Sequence, residues 1–197
     1  MDEKQSIERK KEISVIFLTT DRLLLRSLEP QDAQVMYDYR NHESCARYQR
    51  GQTKDREGIR VLVERHRDDV LSLDAPCIVA VTLKQTGEMV GEIVVMPSDR
   101  TISLGYTISN RHHRKGYALE ALSALIEHLH RQALDWEWIC FVEPENTPSI
   151  SLLKKLGYQD LGYIPSKDSL AFGKWVKEDT VEEFRRASQR GGKGREE

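Results

Sequence analysis

The sequence predicts an α/β (α+β) fold: a mixed, mostly antiparallel sheet of about seven strands carrying about four helices. Three observations predict it. Of 197 residues, 39% are apolar and 31% charged, with a formal net charge of −2. That composition supplies a core and does not describe a disordered chain. Three β-rich runs, Cys77–Leu83, Met89–Met96 and Thr101–Ile108, follow one another with short links, the pattern of an antiparallel meander. After Gly116 the apolar period switches from two to helical, and then back.

The elements follow in order. Residues 1–14 mix basic and acidic side chains with almost nothing apolar and read as an N-terminal tail. Arg22-Leu23-Leu24-Leu25-Arg26 is expected as the first strand. Pro30-Gln31-Asp32-Ala33 opens a helix to about Tyr39. Thr53 can cap a second helix, whose Ile59, Leu62 and Val63 share one face. Gln85-Thr86-Gly87 and Pro97-Ser98-Asp99-Arg100 turn the chain within the meander. A long helix runs from Gly116 to about Gln132, with Ala118, Leu122, Leu125, Ile126 and Leu129 on one face. Trp136–Val142 reads as a buried strand and Thr147–Leu156 as a short helix. Pro148 fits that helix's first turn, and Gly157 sits where a left-handed C-cap belongs. Runs around Leu161-Gly162-Tyr163 and Leu170–Val176 finish the sheet.

At roughly 150 residues per domain, one domain over residues 15–180 accounts for these elements. Residues 181–197 are expected to be a helix end and a disordered tail. Gln189-Arg190-Gly191-Gly192-Lys193-Gly194-Arg195 carries too much glycine and charge to build a core. Its composition fits either a solvated terminus or an RNA-binding tail.

Composition also excludes functions. Cys45, Cys77 and Cys140 are odd in number, widely spaced and outside any Cys/His cluster. They argue against a disulfide framework and a metal site, and for a reducing, cytoplasmic location. No apolar run is long enough to span a membrane, and Met1-Asp2-Glu3-Lys4-Gln5 lacks the apolar core of a signal peptide. A near-neutral chain has no global field to attract nucleic acid.

Two stretches carry chemistry. In the first, the strand ending at Ile108 leads through Ser109–Lys115 to Gly116-Tyr117-Ala118 at a helix start. The first amides of a helix lack intrahelical acceptors, and the macrodipole places partial positive charge there. Small residues at 116 and 118 allow close approach, and Arg111, Arg114 and Lys115 add full charges. The combination suits a pyrophosphate, although a solvated basic loop has the same sequence. Neither a Walker loop nor a dinucleotide-binding glycine fingerprint is present. In the second stretch, Val142-Glu143-Pro144-Glu145-Asn146-Thr147-Pro148-Ser149 leaves a strand and enters a helix. Asn146 can cap that helix or bind an amide-bearing ligand; Ser149 can be an ordinary helix residue or a donor into the same cleft.

Together these stretches resemble the GNAT superfamily of acetyl-CoA-dependent N-acetyltransferases, and within it the ribosomal-protein N-terminal (RimJ/RimL-like) branch. The resemblance covers about residues 18–178. The branch's opening motif is matched by Thr20-Asp21-Arg22-Leu23-Leu24-Leu25-Arg26, with Asp32 at the usual later acid. The family's phosphate loop, Gln/Arg-x-x-Gly-x-Gly/Ala, is matched by His113-Arg114-Lys115-Gly116-Tyr117-Ala118, followed by Leu119-Glu120-Ala121. His113 departs from the pattern, though the backbone role survives. The later signature is met by Asn146, Ser149, Lys155, Gly157 and Tyr158.

The resemblance implies acetyl-CoA as co-substrate and no metal. The acceptor would be a peptide N-terminus or a small amine. It assigns the coenzyme to Ile108, His113, Arg114, Lys115, Gly116, Tyr117, Ala118, Asn146 and Ser149. It also implies that the strand ending near Ile108 and the strand Trp136–Val142 splay apart to admit the pantetheine arm. Many relatives place a tyrosine four residues after the position of Ser149; here that residue is Leu153. Ser149 is then the expected proton or hydrogen-bond donor to the CoA sulfur. Direct attack by a neutral amine needs an oxyanion stabiliser, for which a backbone amide near Ile108 serves, and a route for one proton. An α-amino group, with a pKa of about 7.7–8.0, needs little help to become neutral. Glu92, a carboxylate in an apolar strand, faces either solvent or the cleft and is the first candidate base; Tyr106 is the alternative. A CoA-binding module without catalysis is the competing function, and exposed sheet edges leave a homodimer open.

Overall fold

The computed structural model describes residues 14–190. Its eight strands are β1 (Ile16–Thr19), β2 (Leu23–Arg26), β3 (Cys77–Leu83), β4 (Met89–Ser98), β5 (Thr101–Ile108), β6 (Glu137–Val142), β7 (Gln159–Ile164) and β8 (Ser169–Lys174). The helices are α1 (Asp32–Arg40), α2 (Glu43–Ala46), α3 (Arg56–His66), α4 (Tyr117–His130), α5 (Thr147–Lys155) and α6 (Glu178–Arg190). The strands form one sheet in the order β1-β2-β3-β4-β5-β6-β8-β7. Every neighbouring pair is antiparallel except β5 and β6, which are joined through α4 and run parallel.

Helices cover both faces. Cys77, Val79 and Val81 of β3 point into a core with Leu122, Leu125, Ile126 and Leu129 of α4. Ile78 and Ala80 point the other way, onto Met36 and Tyr39 of α1 and Ile59 and Val63 of α3. This is why β3 reads as an unbroken apolar run: alternation disappears when both faces are buried. The predicted meander is present as β3-β4-β5, in register from Cys77↔Val95 and from Ser98↔Thr101.

Local chemistry sets the helix boundaries. Asp32 at the start of α1 is buried and takes a bidentate hydrogen bond from Arg26 at 2.7 and 2.8 Å. The Arg26 and Asp32 of the opening motif are therefore a structural pair that fastens α1 to β2. Farther along the chain, Asp55 rather than Thr53 caps α3, accepting from the Gly58 amide at 2.7 Å. Gly157 ends α5 at φ +83°, and the amides of Tyr158 and Gly157 donate to Leu153 O and Lys154 O at 3.0 and 3.1 Å. That is a complete Schellman cap.

The structure corrects several boundaries. The strand at 22–26 is the second, because β1 precedes it and pairs with it. The four-residue α2 was not expected; it is too short to show a period. The helix end expected within 181–197 is the body of α6, and its Val181, Phe184 and Ala187 pack on Leu161, Ile164 and Ala171. The glycine-rich remainder of the expected tail, and nearly all of the expected N-terminal one, lie outside the described residues. No helix of the described residues is long and apolar enough to cross a membrane.

Candidate active site

β5 and β6 pair only at Thr101↔Glu137 and Ile102↔Trp138. Beyond Ile102 they diverge, which leaves one edge of β5 without a strand partner through Ile108. The ladder fixes which groups face the gap. Ser109 donates to Val90 O at 2.8 Å, so by alternation the N–H and C=O of Ile108 point away from β4 and toward the opening. The Ile108 carbonyl accepts from His113 Nε2 at 2.8 Å on that side. The Tyr106 carbonyl, one repeat earlier, accepts from Gln49 Nε2 at 3.1 Å.

The gap continues into a cleft of about 710 Å³. Its walls bring together Tyr106 and Ile108 of β5, His113 and Arg114 of the following loop, Gly116, Tyr117 and Ala118 at the start of α4, and Asn146 and Ser149 at the start of α5. Most of the predicted coenzyme residues thus share one cavity. Lys115 is the exception: its ammonium lies 3.5 Å from His112 Nδ1 and its carbonyl accepts from Arg22 at 2.9 Å.

Gly116 adopts φ +80° at the N-cap of α4. The first amide paired within this helix is that of Glu120, to Gly116 O at 3.1 Å. The amides of Tyr117, Ala118 and Leu119 therefore have no intrahelical acceptor, and all three residues line the cleft. Arg22 holds this corner. Its Nε meets Glu120 at 2.6 Å, its backbone N–H donates to the same carboxylate at 2.9 Å, and Thr20 Oγ1 adds a third bond at 2.6 Å. The opening motif and the residues after the loop are thus two halves of one clamp. Burial acts to raise the Glu120 pKa, but its three donors and the Arg22 charge together outweigh it and lower the value.

Asn146 caps α5 with its side-chain oxygen, accepting from the Ser149 amide at 3.3 Å, and also lines the cleft. Ser149 lines the cleft from the first turn of α5. Leu153 does not: it is 2% exposed and belongs to the main core. Tyr106 lines the cleft, but its hydroxyl is shielded from solvent. Burial pushes this phenol up to about 12. The Ser149 side chain partly offsets that rise, and the neighbouring Cys140 adds to it.

Glu92 neither faces solvent nor lines the cleft. It is 1% exposed, and its two oxygens take bonds of 2.9 and 2.6 Å from Arg40. Gln52 donates to the same carboxylate at 3.1 Å. Burial raises the Glu92 pKa, and the Arg40 guanidinium opposes that rise. As a candidate base Glu92 is therefore corrected: its lone pairs are committed to a buried ion pair.

The segment from Tyr39 to Gly51, where the acceptor is expected to make contact although no motif marks it, supplies a third wall. Ser44, Cys45, Tyr48 and Gln49, on and after α2, line the cleft. Tyr48 Oη donates to Glu145 O at 3.0 Å, and Arg50 pairs with Glu143 at 2.6 Å, so this segment bridges the two sides of the splay. Its polar sequence has no period, and no motif marks it. Among the described residues no group of three His, Cys, Asp or Glu side chains could hold a metal.

Known proteins resemble this chain in sequence and in fold. Residues 22–159 match the family model of the acetyltransferase (GNAT) domain. The chain is 30% identical over 156 residues to the uncharacterized N-acetyltransferase p20 of Bacillus licheniformis, covering 75% of this chain and 84% of that protein. It is 27% identical over 148 residues to the uncharacterized N-acetyltransferase YnaD of Bacillus subtilis (strain 168), covering 74% and 84%. Among solved structures, an acetyltransferase (GNAT family) from Bacillus anthracis superposes with a TM-score of 0.69 at 23% identity, over 82% of this chain and 98% of that one.

Proposed function

The chain belongs to the acetyltransferase (GNAT) family and is an N-acetyltransferase; from that premise we propose that it takes its acyl group from acetyl-CoA and passes it to a primary amine by direct attack. The observation that carries the coenzyme assignment is the opening between β5 and β6. It runs from the unpaired edge at Tyr106 and Ile108 to the unpaired amides at the start of α4. Such a cleft matches an extended amide-bearing arm that ends in a pyrophosphate. Two proteins of the same fold are described with this ligand. One is the Microcin C7 self immunity acetyltransferase MccE, in complex with acetyl-CoA and AMP; the other is RimL, in complex with coenzyme A.

In this reading the amides of Tyr117, Ala118 and Leu119 hold the pyrophosphate with Arg114, and the Ile108 amide polarises the thioester carbonyl. Ser149 donates the proton that the departing sulfur takes up. With Glu92 committed to Arg40, the proton leaving the amine passes to water, which suffices for an α-amino group near neutral pH. The acceptor is a protein N-terminus or a small amine and approaches past Tyr48 and Gln49. RimL and the spermidine acetyltransferase SpeG, both of this fold, are described as acting on such amines.

Acetyl-CoA should raise the melting temperature in proportion to ln(1 + [L]/Kd), and a panel of amines and N-terminal peptides should release free CoA thiol. A folded sample whose melting point ignores millimolar acetyl-CoA would remove the coenzyme assignment.

A further inference from the structure

We propose that the segment from Cys45 to Arg50 is a latch across the coenzyme's lane: its Gln49 side chain occupies the β5 edge where the pantetheine arm would pair, and the arm enters by displacing it. This rests on the acetyl-CoA reading above.

The first observation is what holds the open edge of β5. A strand edge without a partner strand offers its carbonyls to any donor that reaches them. Beside the splay, both outward carbonyls are taken by side chains. Gln49 Nε2 donates to Tyr106 O at 3.1 Å. His113 Nε2 meets Ile108 O at 2.8 Å, and because a carbonyl only accepts, that nitrogen carries the proton. A glutamine amide on a strand carbonyl makes the same bond as an amide of the pantetheine arm. Both reach the edge from the side that faces the splay, so Gln49 and the arm compete for one place.

The second observation is how Gln49 is held there. On one side of it, Tyr48 Oη donates to Glu145 O at 3.0 Å; on the other, Arg50 Nε donates to Glu143 at 2.6 Å. Glu143 and Glu145 lie between the end of β6 and the start of α5, on the far bank of the splay. The segment is thus a strap from bank to bank with Gln49 between its fastenings. The third observation is that packing does not hold it. Of residues 45–50 only Cys45 belongs to a core cluster, and both fastenings are exposed. The strap can leave the edge without opening a cavity, and its exposed ion pair resists little.

A bond made only in the closed arrangement weakens coenzyme binding by the factor with which it favours that arrangement. One neutral hydrogen bond corresponds to a factor of about three to ten. The sign is therefore opposite to that of an ordinary wall contact, whose removal weakens binding.

Calorimetry with CoA reads the sign. Gln49→Ala frees the edge and should bind CoA about three- to tenfold more tightly than wild type. ADP carries the pyrophosphate without the arm, so its affinity should be the same in both proteins. Tyr48→Phe keeps the ring, releases one fastening, and should also tighten CoA, by about twofold or more. It decides the matter if Gln49→Ala fails to fold. Unchanged or weaker CoA affinity in the folded variants would overturn the proposal and leave Gln49 a wall residue, as would an equal gain for ADP. A wild type that does not bind CoA at all would instead defeat the reading it rests on.

Discussion

Arg40 on α1 and Glu92 on β4, 52 positions apart, meet through hydrogen bonds of 2.9 and 2.6 Å with both side chains almost wholly out of solvent. The pair ties the helix over one face of the sheet to β4. It also explains why an acidic residue interrupts an apolar strand.

Removing one partner should destabilise the protein far more than replacing both. Glu92→Gln leaves a buried guanidinium uncompensated and should cost about 3–5 kcal/mol, seen as a lower urea midpoint. Arg40→Met combined with Glu92→Leu should recover most of that loss. If Glu92→Gln keeps full stability and loses turnover, the carboxylate is a base after all.

The contrast between Glu92 and the coenzyme loop shows what the sequence could reveal. The loop was legible because its properties are local: Gly116 at a helix start yields free amides whatever surrounds it. The splay was legible through the family resemblance alone, because no feature of Thr101–Ile108 or Glu137–Val142 announces that they part after two pairs. Glu92 was ambiguous because its fate depends on Arg40, and a pairing across 52 residues leaves no local period. The wall formed by Cys45, Tyr48 and Gln49 carried no residue-level signature for a related reason. Four residues of α2 cannot display amphipathicity, and their contacts lie in Tyr106, Ile108 and Glu145.

The coenzyme corner should fail in two separable ways. Gly116→Asp places a carboxylate where the phosphates are expected and should reduce CoA affinity by at least about a hundredfold, roughly the scale of two lost charge-assisted bonds. Arg22→Ala removes the clamp on Glu120 and Lys115 O but leaves the amides in place, so the loss should be milder, about three- to tenfold. Calorimetry with CoA reads both. Equal affinities for wild type and Gly116→Asp would place the coenzyme elsewhere.

Tyr106 should make the protein sensitive to alkali. Its folded pKa lies near 12 against an ordinary 10.0, so the native state holds this proton more tightly than the unfolded chain. The stabilisation is fully present below about pH 10 and is lost as pH rises toward 12. Tyr106→Phe has no proton to lose, so its stability relative to wild type should improve between pH 9 and about pH 11.5 in urea titrations. A constant difference across that range would mean that the phenol is not buried in solution.

Ser149→Ala should lower kcat more than it weakens acetyl-CoA binding. Ser149 lines the cleft from the first turn of α5, and its backbone amide, not its hydroxyl, serves the Asn146 cap. Truncation therefore leaves the helix start intact and removes only the cleft-facing donor. A group used mainly as negative charge develops appears in kcat rather than in ground-state affinity. The expected loss is about ten- to a hundredfold, the scale of one hydrogen bond to a charged group. Leu153→Tyr should not rescue the serine variant. Leu153 is 2% exposed in the core, so a phenol there overpacks it at about 1–3 kcal/mol without reaching the cleft. Steady-state kinetics of the single and double variants decide the matter. A Ser149→Ala enzyme with wild-type kcat would make water the proton donor.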